Sequence, residues 1–233
     1  MPDGFSRSPL LLKGALVEIA EPFLGPIPNI ILFQYNPETM KRDLTPWSAT
    51  SADGKEPTAE SLAQPFDPGE KLTLTLELDA TDALEEPYTH PVALVSGIAD
   101  RIAALEMLLY PLGQSVTGDT VGSFFGTTTA VPRSTVPIVL FVWGPGRIVP
   151  VRLQSFSVDE EAFNPLLYPV RAKVTVGLKV LTDAAFPDTK ARPRTQAEEL
   201  AVTAYKWTRG QKEVLARLNL ANSAESILGM LPF

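Results

Sequence analysis

Residues 71–79, Lys-Leu-Thr-Leu-Thr-Leu-Glu-Leu-Asp, place a leucine at every second position and a polar or charged residue between. A helix would scatter those leucines around its circumference, whereas a strand gathers them on one face. The segment therefore folds as a strand with one buried and one wet side, and it needs a sheet to belong to. Residues 172–180 repeat the pattern, with β-branched residues and alternating charges that favour strand over helix.

Further candidate strands follow from apolar runs and turn punctuation. Residues 10–19 precede a Pro and Gly cluster, and residues 30–35 stop at Asn36-Pro37. Residues 138–143 end at Gly144-Pro145-Gly146, a hairpin turn, and residues 148–158 read as the returning strand. Within that strand Val151 and Leu153 share one parity while Phe156 and Val158 share the other. Either a β-bulge or a change of partner sheet accounts for the switch.

One segment keeps a different period. Leu94, Ile98, Ile102, Leu105 and Leu109 recur at steps of four, four, three and four, which predicts a single amphipathic helix over residues 91–110 packed across the sheet. Pro91 suits its first turn and Pro111 its end. Two long stretches, 45–70 and 112–137, lack any period, and loops of that length are more often functional, ordered by a partner or disordered than inert. The second holds Phe124 and Phe125, which either tuck into their own core or meet another chain.

The C-terminal part changes character. From residue 189 onward there are seven Lys or Arg against four Glu, in a chain whose net charge is −7. Thr195-Gln196-Ala197-Glu198 matches a capping box, after which Leu200, Ala204, Trp207, Val214, Leu215 and Leu218 give a helical stripe interrupted by Gly210. The last residues, including Ile227, Leu228, Leu231 and Phe233, are strongly apolar for a chain end and either return to the core or dock on a neighbour. We divide the chain into a β domain over residues 1–188 and a helical extension over 189–233.

Chemistry is sparse by comparison. There is no cysteine, so thiolate metal sites, disulfides and thiol nucleophiles are excluded, and one histidine rules out mechanisms needing several imidazoles. Asp159-Glu160-Glu161 would point in alternating directions at a strand end and reads as a solvated turn rather than a metal site. The sequence at 144–147 lacks the spacing and lysine of a phosphate loop. His90, near Asp79, Asp82 and several serines, precedes Pro91 in a position that suits capping. The acidic balance argues against a nucleic-acid surface. No catalytic residue, metal or cofactor is expected. No apolar run reaches membrane-spanning length, and the first residues carry no basic leader with an apolar core, so assembly in the cytoplasm, without membrane insertion, is the expectation.

Four stretches resemble, in order, the tube-like N-terminal domain family of contractile injection systems. Phe33-Gln34-Tyr35-Asn36-Pro37-Glu38 resembles its F-x-[YF]-N-P-E motif, and residues 72–79 its L-x-L-x-L-x-L-D strand. Phe141-Val142-Trp143-Gly144 resembles F-x-W-G, and Phe163 with Pro169-Val170-Arg171-Ala172-Lys173-Val174 resembles F-…-P-x-R-A-x-V. The resemblance covers about residues 8–183. It implies a mainly β (α+β) tail-tube-like sandwich or barrel with one flanking helix and, here, a C-terminal helical extension. It further implies a structural baseplate adaptor whose copies form a ring, a hexamer in the family, between a spike hub, an inner tube and wedge or sheath proteins. Relatives often end in a LysM module, but residues 201–222 lack its Gly-Asp-Thr-like start, so a docking helix is expected there. The alternatives are an inner-tube subunit or initiator and a peptidoglycan-binding module with Trp207 as its platform. The expected partner contacts are Phe124, Phe125, Trp207, Leu218, Leu220, Ile227, Leu228, Leu231 and Phe233.

Overall fold

The two alternating segments lie side by side, with Leu72 opposite Leu178, Leu74 opposite Val176, Leu76 opposite Val174 and Leu78 opposite Ala172, all of them buried. The computed structural model describes residues 12–19, 29–47, 66–86, 88–110, 136–190 and 192–228. Within these the order is β1 (Ala15–Ile19), β2 (Ile30–Leu32), β3 (Met40–Thr45), β4 (Gly69–Asp79), α1 (Thr81–Glu85), α2 (Pro91–Ser96), α3 (Ala99–Met107), β5 (Ile138–Val142), β6 (Ile148–Phe163), β7 (Pro169–Val180) and α4 (Gln196–Leu228), with a 3-10 turn at Asp183–Ala185 before α4. The protein is thus mainly β. Its strands form a seven-stranded antiparallel sheet in the order β2-β1-β5-β6-β7-β4-β3, followed by a C-terminal helix.

That order forces the sheet to roll. β2 and β3 are consecutive in the chain yet occupy opposite edges. Laid flat, seven strands would hold those edges about 29 Å apart. The connection from Leu32 to Met40 reaches that far only if fully extended, at about 3.6 Å per residue. It is not extended: Phe33 turns inward and is 2% exposed, and Gln34 bonds to the far side of the sheet. The Gln34 side chain donates Nε2–H to the Asp79 carbonyl (2.8 Å) and accepts the Asp79 N–H at Oε1 (3.0 Å), as a neighbouring strand would. Phe33, Phe141 and Trp143 pack together inside the roll. Each leucine buried there contributes about 1.5–3 kcal/mol relative to exposure.

The parity switch in β6 is a bulge. Register shifts between Leu153 and Ser155, so that Leu153 faces Leu178 and Phe156 faces Val176 across one extra residue. Gly177 makes the room, since a Cβ there would lie 2.1 Å from the Ser155 hydroxyl.

The structure corrects three expectations. The helix over 91–110 is two helices, α2 and α3, broken at Gly97 (φ +57°). There the hairpin between β6 and β7 presses in: a Cβ on Gly97 would sit 2.1 Å from the Pro169 carbonyl oxygen, which accepts the Ile98 N–H at 2.9 Å. Ile98, Ile102 and Leu105 are buried as the stripe requires, but Leu94 is exposed. His90 is the N-cap of α2 but makes no side-chain capping bond. Asp159-Glu160-Glu161 is not a turn, because β6 continues through it to Phe163, with Asp159 opposite Lys173 and Glu161 opposite Arg171. β3 was not foreseen: it reads Met-Lys-Arg-Asp-Leu-Thr, mostly exposed, and is held by its ladder to β4 rather than by an apolar pattern.

Candidate assembly interface

The long helix is the element that sets this chain apart from a bare sheet. It starts at the capping box read from the sequence: the Thr195 N–H donates to Glu198 Oε2 (3.1 Å) and the Glu198 N–H to Thr195 Oγ1 (3.3 Å). Arg192 adds a 2.6 Å ion pair to Glu198, and Arg194 ties the approach to Asp183 (2.6 Å) and to the Phe186 carbonyl (2.6 Å). The capping carboxylate satisfies helix-end donors and sits at the favourable pole of the helix dipole.

The first half of α4 lies against the sheet. Ala197, Ala201, Val202 and Ala204 are buried, and Ala201 and Val202 form a second apolar cluster with Phe186, Ile138 and Leu181. Small residues on that face let the helix backbone approach closely. Thr208, 2% exposed, then replaces a strand: its hydroxyl accepts the Ile148 N–H (2.9 Å) and donates to the Ile148 carbonyl (2.7 Å). β7 has ended by this point, since its Val180 faces Val151, so without Thr208 both backbone groups would lack a partner.

Charge completes the clamp. Glu70 on β4, 7% exposed, accepts from Lys212 (2.9 Å) and pairs with Arg42 on β3 (3.2 Å). Asp67 takes Arg209 (2.9 Å) and the Tyr205 hydroxyl (2.9 Å). Burial pushes the Tyr205 phenol well above its ordinary pKa, and the bond to Asp67 adds to the shift, so it remains a donor. Burial and the nearby Arg42 lower the Arg147 guanidinium while Glu70 opposes them. At the other end of the sheet, burial of Asp79 raises its pKa, but hydrogen bonds from Thr81 and Arg171 outweigh this and hold the carboxyl below its usual range. That carboxylate is thereby committed to Thr81 and Arg171, not to His90.

Past Lys212, among the described residues, no hydrogen bond or ion pair joins α4 to the sheet, and Glu213 through Leu220 are all exposed. This remainder, residues 213–228, runs for about 24 Å at about 1.5 Å per residue. Leu200, Trp207, Val214 and Leu218 recur at steps of seven, seven and four, forming one exposed stripe. Leu215 lies seven residues after Thr208 and fourteen after Ala201, so it continues the docked face beyond the sheet.

Of the contacts expected from sequence, Trp207 and Leu218 thus share a stripe. Trp207 is 55% exposed while its indole N–H donates to the Pro145 carbonyl in the β5–β6 turn (3.3 Å). Leu220 is exposed but lies around the helix from that stripe. Ile227 and Leu228 fall in the last turn of α4. Phe124, Phe125, Leu231 and Phe233 lie outside the described residues.

Sequence reading missed a second apolar projection, the β6–β7 hairpin tip. Phe163, Leu166, Leu167 and Tyr168 are exposed there. Asn164 organises it, accepting N–H bonds from Leu166 and Tyr168 (both 2.9 Å) and donating to the Val95 carbonyl (3.2 Å). The signal was the Asn-Pro pair followed by three large apolar residues. The sheet also has open edges: among the described residues no strand pairs with the outer rim of β2 or of β3. A groove of about 400 Å³ follows the seam between β2, β4 and α3, walled by Ile31, Leu76, Leu78, Arg101 and Leu105.

Among the described residues no group of three His, Cys, Asp or Glu is placed to hold a metal ion, and no helix is long and apolar enough to cross a membrane. No family model matches the chain, and no curated protein matches it.

Proposed function

We propose that this chain is a structural subunit of a contractile, phage-tail-like injection particle, forming a ring in the baseplate that joins spike hub, inner tube and the surrounding wedge or sheath. The observation that carries the reading is the divided α4, clamped to its own sheet by one half and offering an unpartnered apolar stripe on the other. An element so divided transmits force, because whatever grips Val214, Leu215 and Leu218 pulls on β6 through Thr208 and on β4 through Glu70. The resemblance supports the same reading, and its four stretches fall just past β2, on β4, at the end of β5, and on the hairpin leading into β7. Rims without a strand partner suit head-to-tail contacts that close into rings. No reactive group takes part, and the chain's work in this reading is positioning.

The test is a chain truncated after Lys212 and returned to particle-producing cells. Folding of the truncated chain with loss of baseplate assembly is the expected outcome. Particles that assemble and fire normally with the truncated chain, or purified particles that lack the protein altogether, would refute the reading. Electron microscopy with the subunit labelled would place it, and its copy number would separate a single adaptor ring from an inner-tube subunit.

A further inference from the structure

The outer face of the sheet carries an uneven charge pattern that the fold does not use. Directly opposite one another on β4, β7 and β6 stand Lys71, Lys179 and Arg152, all exposed. Like charges in facing cross-strand positions oppose folding. None of the three has an ion pair, although most cations around them do, including Arg42, Arg171, Arg209 and Lys212. Asp43 faces Lys71 from β3, but its carboxylate is engaged by Lys41 at 3.2 Å. An acidic chain thus keeps three neighbouring cations, across about 10 Å of sheet, with Asp43 as the one facing carboxylate and that one shared with Lys41.

The same face is acidic at its other end. Six residues along β4, Glu77 and Asp159 flank Lys173, and in the next outward row Asp79 and Glu161 flank Arg171. Glu77, Asp159 and Glu161 make no ion pair, while Asp79 is taken by Arg171. The two ends lie about 20 Å apart. Between them are Thr73, Thr75, Thr175, Gly177, Ser155 and Ser157, beside the exposed Gln154 of the bulge, mostly side chains small enough for a second sheet to approach.

We infer that this face is a self-association surface whose occupant is the same face of a second copy. A two-fold axis running along the Thr75–Thr175 row lays Lys71 and Arg152 of each copy over the carboxylates of the other, while the central Lys179 falls over Lys173 and Arg171. Each cation row of three thus meets four carboxylates and two cations. A long polyanion laid across the cation row and along the strands would instead run onto Glu77, Asp159 and Glu161. The patch is smaller than the roughly 800 Å² per partner of a stable complex, so the contact is weak alone and governed by salt. It does not depend on the particle reading, since it concerns the isolated chain.

Sedimentation velocity on the full chain tests it across 20–500 mM NaCl. The expected result is a reversible dimer whose dissociation constant rises by about tenfold or more over that range, as screening shortens. Lys71→Glu/Arg152→Glu/Lys179→Glu abolishes the dimer, as does Glu77→Lys/Asp159→Lys/Glu161→Lys, and mixing the two variants restores association as a heterodimer. Single glutamine replacements at Lys71 and Arg152 give graded losses should a triple variant misfold. A chain that stays monomeric at low salt, a dimer indifferent to salt or to these variants, or folded variants that fail to associate when mixed would each overturn the inference.

Discussion

The two halves of α4 obey the same helical geometry and face opposite environments. Over residues 196–212 the inward positions are Ala197, Ala201, Ala204 and Thr208, small or hydrogen-bonded, and the helix is fastened to β4, β5 and β6. Over residues 213–220 the equivalent face carries Leu215, flanked by Leu218, and is exposed. Size follows purpose: a helix docked against a backbone wants small side chains, whereas one awaiting a partner wants large apolar ones. Propensity does not separate the halves, since each carries three Ala and two Glu. What separates them is where their free energy comes from, intramolecular packing in the first and, in the proposed assembly, a second surface in the other.

The sharpest way to break that contrast is to spoil the docked face. Ala201 is fully buried, and Ala201→Asp places a charge against Phe186 and Ile138 with no cation available in that cluster. Urea unfolding should fall by about 4 kcal/mol or more. Thr208→Val keeps the shape but strands the Ile148 N–H and carbonyl, with an expected loss of about 2 kcal/mol by the same measurement. Glu70→Gln leaves Arg42, Arg147 and Lys212 facing one another; with two of these partly solvated the expected loss is smaller, about 1–2 kcal/mol.

The first half of the helix was legible for a simple reason. Thr195 and Glu198 satisfy each other locally, and a signal contained within four residues survives in the sequence. The leucine alternation of β4 and the parity switch in β6 were legible likewise, because a strand's two faces print directly onto odd and even positions. β3 was not, since an edge strand with Met40 half-buried and Leu44 exposed has no buried face to record. The break at Gly97 was hidden as well, because it depends on the Pro169 carbonyl, which is distant in sequence. Of the interface, Trp207, Leu218 and Leu220 could be named as apolar residues on a helix, but the clamp residues Asp67, Glu70 and Thr208 could not. Their partners across the clamp lie 60 to 142 residues away, and only the rolled sheet brings them together.

The junction between the halves offers a subtler probe. Gly210 sits inside a continuous helix, where the sequence suggested an interruption, and a Cβ there would meet nothing within 4 Å. Gly210→Ala should therefore stabilise the helix by about 0.5–1 kcal/mol, seen as a higher melting temperature by circular dichroism. Stiffening the joint would also couple the two halves more tightly. Were the joint needed as a hinge during assembly, the more stable variant would assemble less well, which separates the role of Gly210 from its cost.

The smallest effect on stability belongs to the free half and carries the most weight. Leu215→Ser/Leu218→Ser removes two leucines that are more than half exposed, so the unfolding free energy of the isolated chain should stay within about 0.5 kcal/mol of the parent. A monomer without a partner has no use for them and would, if anything, be more soluble without them. If they are an interface, the same variant should drop out of assembled particles while remaining folded, a split between stability and incorporation that Ala201→Asp cannot produce. A clear loss of stability in the isolated double variant would mean that the second half packs on its own chain after all, and the contrast between the halves would fail.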